Sequence, residues 1–186
     1  MRALVFGGTA CGKSAFAEGL CCARGGRVLY VATMERAGAD AEARIERHRR
    51  LRAGKGFSVL ECPRGLAHAK IEPVDVALVE DVGNLVANEL FSGREDAGGC
   101  LDAEGAARRV VAGIDHLADR ADDVVAVSID TGRDGVRYDE GTEAYLDALA
   151  RVNAELAAAS ACAVEVVCGL PVWLRGSMDV WKGGAR

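Results

Sequence analysis

The chain has 186 residues, of which half are apolar, 27% charged and only 5% aromatic, and its formal net charge is -5. This is the make-up of an ordinary globular domain, expected here as one unit over residues 1–186. The acidic balance excludes general nucleic-acid binding, which demands a basic surface, and no run approaches the roughly 18 apolar residues of a membrane span.

The first predicted strand, Ala3–Gly7, follows the initiator residue at once, with no signal-peptide layout, so a cytoplasmic location is expected. It runs into Gly7-Gly8-Thr9-Ala10-Cys11-Gly12-Lys13-Ser14, and a helix is predicted over Lys13–Ala23. The pattern G-x-x-x-x-G-K-[ST] between a strand and a helix is a phosphate-binding loop. Its glycines let backbone N–H groups converge on phosphate oxygens, and the helix N-terminus adds the positive end of its dipole. Lys13 is placed to neutralise β- and γ-phosphates, and the Ser14 hydroxyl to bind Mg²⁺.

A second strand is predicted at Arg27–Thr33 and a helix at Ala39–Ala53. In that helix a spacing of four sets Arg44, His48 and Arg52 on one face, with Ile45 and Leu51 beside it. A histidine among guanidinium groups stays neutral, as a nucleophile must, and the arginines could hold the phosphate under attack. The same pattern also suits a solvated basic helix. Strands follow at Ser58–Cys62 and Val74–Asp81, the latter ending in Glu80-Asp81. One of these two carboxylates is expected to face the phosphate loop and hold the metal, with Asp130 as a second candidate; acids that merely end strands in solvent are the alternative.

Helices are predicted at Val82–Leu90, Ala103–Arg120 and Thr142–Ser160, and strands at Val124–Asp130, Val164–Cys168 and Val172–Leu174. Ser92–Leu101 and Thr131–Glu140 read as loops. The strands are β-branched and nearly unbroken, which marks burial on both faces. Their alternation with helices implies parallel pairing and a three-layer α/β sandwich with a mainly parallel sheet. The seven cysteines (Cys11, Cys21, Cys22, Cys62, Cys100, Cys162, Cys168) are odd in number and include no C-x-x-C pair. They read as reduced core thiols rather than disulfides or metal ligands. His68 and His116 carry no functional signal.

Taken together, these residues resemble the bifunctional adenosylcobinamide kinase / adenosylcobinamide-phosphate guanylyltransferase family of cobalamin biosynthesis, over almost the whole length. The likeness rests on the Gly-Gly-start phosphate loop, Val28-Leu29-Tyr30-Val31-Ala32-Thr33, Ala43-Arg44-Ile45 with His48-Arg49, and Glu61-Cys62. Glu80, Asn88-Glu89-Leu90-Phe91, Arg151-Val152-Asn153 and Gly169-Leu170-Pro171 extend it. The resemblance implies a P-loop NTPase fold of the RecA-like kind, a homotrimer, and two reactions with Mg²⁺ at one nucleotide site. ATP or GTP phosphorylates the hydroxyl of the cobinamide arm; then His48 attacks the α-phosphate of GTP and passes GMP to the new phosphate. It also implies that Gly7, Gly8, Thr9, Ala10, Cys11, Gly12, Lys13 and Ser14 hold phosphates, with Ser14 and Glu80 at the metal. Ala32, Thr33, Met34, Arg49, Arg50, Leu51, Arg52, Glu61 and Glu80 would line the rest of the nucleotide site. A buried Glu80 or Glu61 would accept from the guanine edge.

The chain departs from the family pattern at Ala10, where arginine is usual, and at Ser128-Ile129-Asp130-Thr131-Gly132, where Ser-Asn-Glu-Val-Gly is usual. It also lacks a proline near Arg137 and arginines near Glu143 and Leu146. Two other functions fit the same residues. One is a P-loop kinase of another small hydroxylated substrate with a structural His48; the other is a nucleotide-binding protein without transferase activity.

Overall fold

Along the first strand, β1 (Arg2–Phe6), successive side chains part to opposite sides: Ala3 and Val5 pack into one buried cluster, Leu4 and Phe6 into another. Both sides are apolar, so the strand must be covered twice. The computed structural model, which describes residues 1–35, 54–91, 101–131 and 135–183, shows how. The turn after β1 leads to α1 (Lys13–Arg24), β2 (Val28–Ala32), β3 (Ser58–Glu61), β4 (Val74–Glu80), α2 (Val82–Phe91) and α3 (Ala103–Ala118). Then come β5 (Ala121–Val127), α4 (Glu140–Ala159), β6 (Cys162–Val167), β7 (Leu170–Arg175) and α5 (Met178–Gly183).

The seven strands form one sheet in the order β3-β2-β4-β5-β1-β6-β7. All neighbours are parallel except β6 and β7, which pair antiparallel. Ala17, Leu20 and Cys21 of α1, with Trp181 of α5, cover the Val5 face. The Leu4 face is covered by Leu85 and Val86 of α2, Val110, Ile114 and Leu117 of α3, and Leu149, Val152 and Leu156 of α4. The expected three-layer α/β sandwich with a mainly parallel sheet is therefore what forms.

Each of the seven expected strands is present, with ends that differ. The fifth begins at Ala121 and stops at Val127, leaving Ser128, Ile129 and Asp130 beyond its end. The expectation that all strands are buried on both faces fails at β3 and β7, which are edge strands and mostly exposed. Their β-branched residues look like core residues in sequence because pairing on one side only leaves no mark on composition. The expected helix Ala39–Ala53 lies outside the described residues, as does all of Ser92–Leu101 except Leu101. The expected helix from Thr142 starts two residues earlier, because Asp139 caps it: its carboxylate accepts from the Thr142 N–H at 3.1 Å and hydroxyl at 2.7 Å. The sequence reading missed α5, a six-residue helix held by Trp181, whose ring N–H donates to the Leu20 carbonyl at 3.0 Å.

Among the described cysteines, Cys21, Cys62 and Cys162 are buried and Cys11 is half-buried, but Cys22 and Cys168 are exposed and are not core thiols.

Candidate nucleotide site

Parallel strands carry their carboxyl ends to the same edge of the sheet, where open α/β sheets place ligands. Four ends meet there: Gly7 after β1, Ser128 after β5, Glu80 of β4 and Thr33 after β2. Backbone bonds stitch them together, from Asp130 N–H to Gly7 O at 3.1 Å and from Thr33 N–H to Glu80 O at 3.1 Å.

The turn over residues 7–14 is built around steric necessity. Gly7 has φ +152, and a Cβ there would stand 2.5 Å from the Val166 carbonyl oxygen of β6 and 2.9 Å from Cys11 Sγ. Only glycine lets the chain pass so close to the neighbouring strand. Beyond it Gly8, Thr9 and Ala10 are exposed, Ala10 in the left-handed region at φ 56. The Phe16 N–H then bonds to the Gly12 carbonyl at 3.1 Å, and α1 begins. The Lys13 ammonium, nearly buried, folds back over the loop and donates to the Gly8 carbonyl at 3.0 Å.

Of the two carboxylates at the end of β4, Glu80 turns toward the loop, and its Oε1 accepts from the Ser14 hydroxyl at 2.6 Å. Its Oε2 is buried without a hydrogen-bond partner. Burial first, and then the Asp81 charge, push the Glu80 carboxyl up to about 8, against the opposing Ser14 hydrogen bond and the Lys13 charge. An orphaned, buried carboxylate oxygen beside a serine hydroxyl is a hard-oxygen donor set, and it fits a Mg²⁺ ion that takes its remaining ligands from phosphates and water. Asp81 turns the other way and caps α2, its Oδ1 accepting from the Asn84 N–H at 2.7 Å.

Thr33 and Met34 follow β2 at the same edge. Thr33 is fully buried and its hydroxyl donates to the Asp81 carbonyl at 2.7 Å. The sequence reading did not single out the clamp that holds this corner. The Asn88 side-chain amide of α2 donates to the Thr33 carbonyl at 2.8 Å and the Pro63 carbonyl at 2.9 Å, fixing the ends of β2 and β3 together. Asn153 does the same for β5: its Oδ1 accepts from the Ser128 hydroxyl at 2.6 Å, and its amide donates to the Ile129 carbonyl at 3.3 Å. Both asparagines stood in motifs read from the sequence, but a clamp between strand ends has no local signature. Glu61 ends β3 at the sheet edge and is exposed, not the buried carboxylate expected for the guanine edge.

The structure thus brings together residues 7–14, Glu80, Thr33 and Met34, and Ala32 lies in register with Glu80 on one side and with the exposed Glu61 on the other. His48 and residues 49–52 lie outside the described residues. On the α4 side, a cavity of about 420 Å³ runs beneath the helix; Phe6, Ile129, Leu146, Leu149 and Leu174 contribute to its walls. Two of the positions that depart from the family pattern, Ile129 and Leu146, therefore face one apolar space.

Comparison with known proteins agrees with this geometry. Residues 3–174 match the family model described as CobU, cobinamide kinase / cobinamide phosphate guanyltransferase. The bifunctional adenosylcobalamin biosynthesis protein CobU of Escherichia coli (strain K12) is 33% identical over 186 residues, an alignment spanning 94% of this chain and 100% of that protein. With a phosphate loop facing a buried glutamate on a mostly parallel α/β sheet, and a match along nearly its full length, the chain belongs to the cobinamide kinase / cobinamide phosphate guanyltransferase family.

Proposed function

We propose that the protein is a bifunctional transferase of cobalamin biosynthesis, acting in the cytoplasm as one P-loop domain. In the first reaction the hydroxyl of adenosylcobinamide attacks the γ-phosphorus of ATP or GTP and gives up its proton to solvent; the bond to the β-phosphate oxygen breaks, and the nucleoside diphosphate leaves with its electrons. In the second, a neutral His48 nitrogen attacks the α-phosphorus of GTP and pyrophosphate departs. The phosphate of adenosylcobinamide phosphate then displaces the imidazole and yields adenosylcobinamide-GDP.

The observation that carries this reading is the contact of Ser14 with Glu80 in a chain matched to the family almost throughout. The backbone of residues 7–14 is the cradle for phosphates. Lys13 exchanges the Gly8 carbonyl for β- and γ-oxygens, a charge-assisted bond in place of a neutral one. Ser14 and Glu80 would hold a Mg²⁺ ion, which would supply charge neutralisation to the phosphates. Ala32, Thr33, Met34, residues 49–52 and Glu61 complete the nucleotide site, and the acceptor is taken up on the side of Ile129 and Asp130.

The test is incubation with GTP labelled in turn at the α- and γ-positions, with and without adenosylcobinamide. Wild type is expected to retain α-label covalently as an acid-labile, base-stable phosphoramidate, and His48→Ala to lose it while still transferring γ-label to adenosylcobinamide. Lys13→Ala is expected to lose both transfers. Equal α-labelling of His48→Ala and wild type would remove the guanylylated histidine from the scheme.

A further inference from the structure

The hairpin turn between β6 and β7 touches the phosphate loop, and each of the two carries a cysteine. Val167 pairs with Leu170, so Cys168 and Gly169 are the two turn residues, with φ 50 and 81. A two-residue turn with positive φ at both places is built most easily from Asn-Gly, Asp-Gly or Gly-Gly. The Cβ of a cysteine disfavours that conformation, and Cys168 is exposed, so no packing offsets the strain. A local rule broken without a packing gain is where function is to be sought.

The turn rests on the loop at Cys11. The Gly169 N–H donates to the Cys11 carbonyl at 2.8 Å, and a Cβ on Gly12 would stand 3.3 Å from the Gly169 α-carbon. Peptide dimensions then hold the α-carbons of Cys11 and Cys168 within about 7 Å, a span that a disulfide can bridge. The Cys11 side chain lies at the same corner. A Cβ on Gly7 would meet its Sγ at 2.9 Å and the Val166 carbonyl oxygen of β6 at 2.5 Å. Cys11 is half-buried, Cys168 is exposed, and both are free thiols.

We propose that Cys11 and Cys168 form a reversible redox switch on the phosphate loop, closed to a disulfide by a low-molecular-weight disulfide such as oxidised glutathione and opened again by thiols. The exposed Cys168 reacts first: its thiolate attacks one sulfur of the glutathione disulfide, that S–S bond breaks, and one glutathione leaves as thiolate. The Cys11 thiolate then attacks the Cys168 sulfur, the mixed S–S bond breaks, and the second glutathione leaves. Both protein sulfurs are oxidised, the glutathione disulfide is reduced to two thiols, and the two protons lost by the cysteines end on them. Disulfides in reducing compartments are of this transient, sensing kind, and exposed ones are the more readily reduced. The bridge pins the middle of the loop to the hairpin, so the N–H groups of residues 8–12 lose the freedom to converge on a phosphate. The switch rests on the reading of residues 7–14 as the nucleotide cradle.

The test equilibrates the full chain with oxidised or with reduced glutathione, desalts it, and measures affinity for GDP with Mg²⁺ by calorimetry. The same samples are digested without reductant and fragmented by mass spectrometry to locate S–S bonds. Oxidised wild type should yield peptides joined from Cys11 to Cys168. It should bind GDP about tenfold or more weakly than the reduced protein, with full recovery in dithiothreitol. Cys168→Asn supplies a residue that the turn accepts, and should bind GDP alike under both conditions. Cys11→Ser should leave glutathione held on Cys168 and no joined peptides. Absence of the joined peptides in wild type, a joined form with unchanged GDP affinity, or an equal loss of affinity in Cys168→Asn overturns the switch and leaves the nucleotide site standing. Reduced wild type that binds no GDP overturns both.

Discussion

Glu80 carries its carboxyl into the protein beside Ser14 and Lys13, and the forces on it do not balance. Desolvation outweighs both the hydrogen bond and the ammonium, so its value in the folded state is raised from the ordinary 4.5 to about 8. The folded protein therefore holds a proton that the unfolded chain releases, and stability from this group is complete below the unfolded value and is lost as pH rises through the folded one. A glutamine at the same place has no such dependence. In nucleotide-free protein with chelator present, Glu80→Gln should match wild type near pH 4.5 and become progressively more stable than it up to about pH 8. Denaturant titrations at several pH values measure that margin; one that stays constant with pH shows the carboxyl to be ionised throughout. In function the same imbalance favours cation binding, since a metal ion stabilises the charge that the protein interior opposes.

Between elements, what matters is how closely the phosphate loop passes the end of β6. A side chain at Gly7 collides with the Val166 carbonyl, whereas Gly8 has nothing within 4 Å of its missing Cβ. Gly7→Ala is therefore expected to cost about 2 kcal/mol or more of stability, with loss of nucleotide binding. Gly8→Ala should leave stability within about 0.5 kcal/mol. Chemical denaturation of the two variants makes the comparison, and equal costs would mean that the loop sits away from β6. Nothing in the motif separates these glycines; only the strand laid beside Gly7 does, and neighbours as far apart in the chain as Gly7 and Val166 are not written in local sequence. The strands themselves were readable because β-branched runs alternate with capped helices, and so was the approach of the Glu80 strand end to Ser14, because a phosphate loop calls for a carboxylate there. The clamping contacts of Asn88 and Asn153 were not readable, since each touches an element distant in the chain. The exposed β3 and β7 were misread for the related reason that an edge strand and a central one share a composition.

At the scale of the whole molecule, the sheet stops at β7, and among the described residues no helix covers the outer part of its α4-side face. In the antiparallel pairing Val167 lies opposite Leu170 and Glu165 opposite Val172, so these side chains share one face with Leu174 nearby. Leu170 is 70% exposed, Leu174 60%, and Val167 and Val172 nearly half. A row of large apolar side chains on an edge hairpin is an association surface unless something covers it. The trimer implied by the family resemblance would supply a cover if copies of the chain met through β7 and the neighbouring flank of α4. Light scattering on the full chain should then give the mass of three subunits. A paired Leu170→Glu and Leu174→Glu variant should give the monomer mass, since a buried charge without a partner costs more than the contact provides. Leu170 follows Gly169, whose N–H bonds to the Cys11 carbonyl of the phosphate loop at 2.8 Å, so nucleotide binding is checked in the single variant Leu174→Glu, which should retain it. A variant that stays trimeric places the interface elsewhere and leaves this hairpin face for another partner.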